Sequence, residues 1–146
     1  MTPELQIFPD SAHLSKSAAR FFCDAADEAL DRHGFFSCVL SGGSTPVGMY
    51  QNLVGEPCQE KVDWNRVHLF WGDERCVPPD HLESNFYTAN QHLIKQIQFP
   101  GENIHRIKGE LSPARAVEDY NQQLMKFASR ESVGLPYPIF DLVILG

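Results

Sequence analysis

The spacing of apolar and polar positions changes several times along the chain. Between Asp10 and Gly34 the apolar residues Leu14, Ala18, Phe21, Phe22, Ala25, Ala29 and Leu30 recur at the interval of one helical face. Asp10 or Ser11 stands where a cap is needed, and Gly34 where a helix can stop. Leu5–Phe8 predicts a short strand ended by Pro9. Phe35–Leu40 and Val67–Trp71 are apolar runs of strand length. Between them, Thr45 as cap and Pro46 as first helical residue open a helix through Leu53, and Gly55–Gln59 reads as a loop.

Further on, Ser84 or Asn85 caps a helix whose apolar positions run from Phe86 to Ile97. Ile104–Ile107 predicts a short strand. Ser112-Pro113 opens a helix with Val117, Tyr120, Leu124, Phe127 and Ala128 on one face, and Asp141–Leu145 predicts a last strand. Strands alternate with helices, and the best strands are apolar on both faces. That pattern predicts one α/β domain over residues 1–146, a mostly parallel sheet with helices on both sides. Such a sheet returns a helix after each inner strand, and none follows Asp141–Gly146. The expectation is therefore a C-terminally incomplete domain from a longer chain. Its uncovered apolar surface would favour self-association.

Composition narrows the function. The 146 residues are 42% hydrophobic and carry a net charge of −7, without a Lys/Arg cluster, which argues against a nucleic-acid partner. No apolar run is long enough for a membrane span, and no signal peptide is evident, so the expected location is the cytoplasm. Cys23, Cys38, Cys58 and Cys76 form no C-x-x-C pair and read as reduced thiols. The histidines show no H-E-x-x-H or comparable spacing, so no metal site is predicted.

Two loops remain as candidates for chemistry. In Ser41-Gly42-Gly43-Ser44-Thr45-Pro46, glycines admit a ligand close to the backbone, and the helix start offers N–H groups to an anion. The turn can be a phosphate cradle or an ordinary strand-to-helix connection. It matches neither G-x-x-x-x-G-K-[ST] nor G-x-G-x-x-G. In Gly72-Asp73-Glu74-Arg75, three charges directly follow a buried strand, a costly position unless they pair or meet a ligand. Asp73 and Glu74 can orient water or hydroxyls or move protons, and Arg75 offers a planar fork to phosphate. An internal Asp–Arg or Glu–Arg bridge is the alternative. His105, Arg106, Trp64 and Trp71 read as partly buried or core residues.

The stretches SGGSTP (Ser41–Pro46), FWGDERCVPPDHLESNF (Phe70–Phe86), NIHRIKGE (Asn103–Glu110) and DLVILG (Asp141–Gly146) resemble the 6-phosphogluconolactonases. That group also includes the glucosamine-6-phosphate isomerases/deaminases. The resemblance implies a Rossmann-like sheet of the isomerase/CoA-transferase type. It also implies hydrolysis of 6-phospho-D-glucono-1,5-lactone, a sugar phosphate, with no metal or cofactor, in the oxidative pentose phosphate pathway. By position it implies a phosphate-binding turn of Gly42, Gly43, Ser44 and Thr45, Asp73 at the reaction centre, and Arg75 on the phosphorylated ligand. Glu74, Ser84 and Asn85 would support them. The deaminases carry Asp-Glu-Tyr at the triplet, so Arg75 tilts the resemblance towards lactonase. The family's Gly-x-x-Gly-His-x-Ala motif, whose histidine resembles a general base, does not occur in this sequence. Activity alone is therefore expected to be feeble or absent. The alternatives are a deaminase-type enzyme or a non-catalytic sugar-phosphate-binding fragment.

Overall fold

The computed structural model describes residues 3–131 and 137–145. Capping fixes the first helix, α1 (Ser11–His33). The Asp10 carboxylate accepts from the His13 N–H at 2.8 Å, and Gly34, at φ 87, returns its N–H to the Leu30 carbonyl. That left-handed stop suits glycine, which has no Cβ to clash. The strand expected over Leu5–Phe8 does not form: the segment pairs with no strand among the described residues, and Leu5 and Ile7 are exposed. An unpaired strand has nothing to satisfy its backbone groups except water.

The sheet holds β1 (Phe36–Leu40), β2 (Val67–Trp71), β3 (Ile104–His105) and β4 (Leu142–Val143), in the order β3-β2-β1-β4 and parallel throughout. The expected outer strands shrink to two residues each, since a marginal strand here is paired on one side only. Gly146, the last residue of the DLVILG stretch, lies outside the described residues.

Both faces of β1 are buried, as its apolar run requires. Phe36, Cys38 and Leu40 face the larger core, with α1, α2 (Thr45–Leu53), the short α3 (Cys58–Lys61) and α4 (Asn85–His92). Val39 and Phe70 face the other way, onto Phe127, Tyr120 and Leu124 of α5 (Pro113–Glu131). The α/β expectation, with helices on both sides, holds. Two boundaries shift. The turn α3 begins inside the expected loop. The helix at Asn85 stops at His92, after which Ile94–Gln96 form a 3-10 turn that still buries Ile97.

Asp141 pins the sheet together. One carboxylate oxygen accepts from the Ser37 N–H and hydroxyl at 2.9 and 2.8 Å, while the other meets His33 at 2.9 Å and Arg32 at 3.3 Å. This satisfies Ser37, a polar residue fully buried in an apolar strand. Beside β4 runs an apolar groove of about 250 Å³, lined by Phe8, Leu14, Phe21, Met49, Leu142 and Ile144. No helix among the described residues is long and apolar enough to cross a membrane.

Candidate active site

Both candidate loops leave the same edge of the sheet. Leu40 and Trp71 are register partners, and the Gly72 N–H donates to the Leu40 carbonyl at 3.0 Å. The turn after β1 and the charged loop after β2 therefore start side by side, at the carboxyl ends where parallel sheets form ligand crevices.

The turn is held from below and open above. Tyr50 donates its hydroxyl to the Ser41 carbonyl at 3.1 Å. Gly42 lies against the Asn85 amide, and a Cβ there would collide with it. Gly43 sits at φ 87, a conformation that glycine adopts without strain, and is exposed together with Ser44 and Thr45. Ser44, not Thr45, precedes the helix, Thr45 being its first residue, and the Ser44 side chain makes no capping bond. Among the described residues, no acceptor meets the N–H of Gly43 or Ser44. The turn presents donors to solvent at a helix start, the arrangement that favours an anion.

In the charged loop the three residues separate. Glu74 is fully engaged: one oxygen accepts from the Arg75 and Asn85 N–H groups at 2.8 and 2.7 Å, the other from the Ser84 hydroxyl and Phe86 N–H at 3.0 and 2.9 Å. It satisfies the start of α4, where backbone donors lack helical partners. Asp73 and Arg75 are exposed, and among the described residues neither side chain makes an ion pair. The internal bridge that sequence reasoning left open is not formed.

Ser84 and Asn85 tie the loops together. Ser84 is the cap of α4, accepting from the Tyr87 N–H at 3.1 Å while donating to Glu74. Asn85, 4% exposed, donates its amide to the Asp73 carbonyl at 3.0 Å while its side chain lies against Gly42. One buried side chain thus touches both loops.

Sequence reasoning missed three supports, Gly109, Tyr120 and Glu110. A Cβ at Gly109 would meet the carbonyl oxygens of Arg75 and Val77, so this glycine seats the charged loop. Tyr120 of α5 clasps the end of β2, accepting from the Trp71 N–H at 3.1 Å and donating to its carbonyl at 2.8 Å; burial pushes its phenol up to about 12. Arg106 forks onto Glu110 at 2.9 and 2.6 Å and lies over the Phe86 ring, holding the Glu110 carboxyl down at about 2. The R-x-x-G-E spacing carried the signal for the first and last of these. His105 and Arg106 are partly buried and partnered, and Trp64 and Trp71 are core residues, as expected. Among the described residues, no cluster of three or more His, Cys, Asp or Glu side chains could hold a metal.

The family model for glucosamine-6-phosphate isomerases/6-phosphogluconolactonase matches residues 9–146. The chain belongs to this family. It is 33% identical over 147 residues to the 6-phosphogluconolactonase of Nostoc sp. strain PCC 7120, covering 100% of this chain and 59% of that protein. It is 41% identical over 107 residues to the one from Haemophilus influenzae, covering 73% of this chain and 43% of that protein. Among solved structures, 6-phosphogluconolactonase from Thermotoga maritima superposes with a TM-score of 0.77 at 29% identity, covering 97% of this chain and 58% of the other. The matches thus cover 43% to 59% of the length of these relatives. A monomeric glucosamine-6-phosphate deaminase shares the fold, at 19% identity and a TM-score of 0.72.

Proposed function

We propose that this chain carries the phosphate-gripping and acid-bearing part of a 6-phosphogluconolactonase. The whole enzyme would hydrolyse 6-phospho-D-glucono-1,5-lactone to 6-phosphogluconate in the cytoplasmic oxidative pentose phosphate pathway. One observation carries the reading: two strand-end loops lie side by side, and among the described residues the side chains of Ser44, Thr45, Asp73 and Arg75 and the N–H groups of Gly43 and Ser44 meet no partner inside the protein. Arg75 rather than tyrosine at the triplet favours lactone hydrolysis over deamination.

In this reading the turn and Arg75 receive the phosphate. A dianion meets backbone N–H groups, two hydroxyls and a guanidinium fork, each a charge-assisted contact. Grip on this remote group orients the lactone carbonyl without taking part in bond breaking. Asp73 stands at the reaction centre, next to the water that attacks the carbonyl. The base that takes the proton from that water would be the histidine of the Gly-x-x-Gly-His-x-Ala motif that the family resemblance implies and this sequence does not contain, so this sequence by itself is expected to bind ligand and to turn over feebly or not at all. Any self-association would use the apolar groove beside β4.

Calorimetric titration tests the assignment. 6-Phosphogluconate is expected to bind the chain, gluconate at least about tenfold more weakly, and Arg75→Ala to lose at least about tenfold, a cost of about 1.4 kcal/mol. Equal affinity for the two ligands, or an unchanged Arg75→Ala, removes the phosphate site.

A further inference from the structure

A second hollow lies away from the rim, between α1 and α3, with a volume of about 370 Å³. Small-molecule clefts begin at roughly this size, about 300 Å³. Its floor is apolar: Ala19, Cys23 and Cys58 are buried, and the Cys58 thiol donates to the Ala19 carbonyl at 3.9 Å. Burial beside Cys58 pushes the Cys23 thiol well above its ordinary range, which keeps that part of the floor uncharged at neutral pH.

The rim has the opposite character. Lys16 and Arg20, one turn apart on α1, are exposed, and among the described residues neither makes an ion pair. Asp24 stands four residues beyond Arg20, where a helical partner would sit, but its carboxylate faces Lys61 at 3.3 Å, and Asp27 backs the same ammonium at 4.0 Å. Two like charges are thus left adjacent at the mouth of an apolar cavity, on a chain whose net charge is −7. Glu56 is the remaining carboxylate of the lining.

We infer that this hollow binds a small amphiphilic carboxylate, its head between Arg20 and Lys16 and its hydrocarbon body on the Ala19–Cys23–Cys58 floor. The guanidinium fork matches a carboxylate, and burial of the body supplies the apolar share of affinity. The site is separate from the rim. Asn52, which lines it, lies at the far end of α2 from Thr45, about 10 Å along the helix axis at ~1.5 Å per residue. The inference does not rest on the lactonase reading.

Octanoate below its micellar concentration is the probe, with octanol as the uncharged control. Calorimetry is expected to give saturable one-to-one binding, with octanol at least about tenfold weaker and the Lys16→Gln/Arg20→Gln double variant weakened at least about tenfold. Both substitutions are on the surface, and an unchanged melting temperature checks that the fold survives. Amide NMR shifts should centre on Lys16, Arg20 and Asn52. Non-saturable uptake, equal affinity for octanol, an unaffected double variant, or shifts centred on Leu14, Phe21 and Leu142 beside β4 would each overturn the assignment. Because 6-phosphogluconate is a separate titration at a separate site, either result can fail without the other.

Discussion

The rim of the candidate site and the bracket beneath it come from the same short segments but use their polar groups in opposite ways. On the rim, Gly43, Ser44, Thr45, Asp73 and Arg75 face solvent. In the bracket, Glu74, Ser84 and Asn85 direct their side-chain polar groups onto neighbouring backbone or one another. Asp73, Glu74 and Arg75 are adjacent in sequence and still divide between the two. Charge alone therefore does not mark a binding residue; what separates these three is whether the protein has already supplied a partner.

The contrast predicts a graded set of responses. Glu74→Ala should be the most damaging change, leaving three backbone N–H groups and the Ser84 hydroxyl without their acceptor. We expect a loss of about 3 kcal/mol, read from the urea midpoint. A loss under about 0.5 kcal/mol would mean that the bracket does not bear on the fold. Gly42→Ala should come next, at about 2 kcal/mol, because the new Cβ must displace the Asn85 amide. Its ligand affinity should fall too, since Asn85 also positions Asp73. Arg75→Ala should move stability by no more than about 0.5 kcal/mol while its affinity for 6-phosphogluconate falls. A large stability loss there would place Arg75 in the bracket.

The smallest effect is set by pH. Arg106 holds the folded-state Glu110 carboxyl at about 2, below its ordinary 4.5. Its contribution is therefore complete above pH 4.5 and lost as pH falls towards 2. Arg106→Gln should flatten stability across that window, and an unchanged acid profile would show the pair to be neutral for folding.

Much of the architecture was legible because it rests on local chemistry. Asp10 and Gly34 bound α1 as their types predict, and the apolar runs of β1 and β2 are buried on both faces. Where partners decide, the reading weakened. Leu5–Phe8 has strand composition but no strand partner among the described residues, and Leu93 interrupts a helical pattern that the apolar spacing continues. At the site, the exposed members were legible as residue types. The joints were not: that Asn85 meets Gly42, or Gly109 the Arg75 and Val77 carbonyls, depends on contacts between segments far apart in sequence.

The grip of Tyr120 on the last residue of β2 makes α5 a remote governor of the rim. Glu74 sits only three residues beyond the clasped Trp71, so loosening this helix would slacken the acidic loop from behind without altering any residue that faces a ligand. Substitutions on the back of the sheet could then tune affinity at its edge.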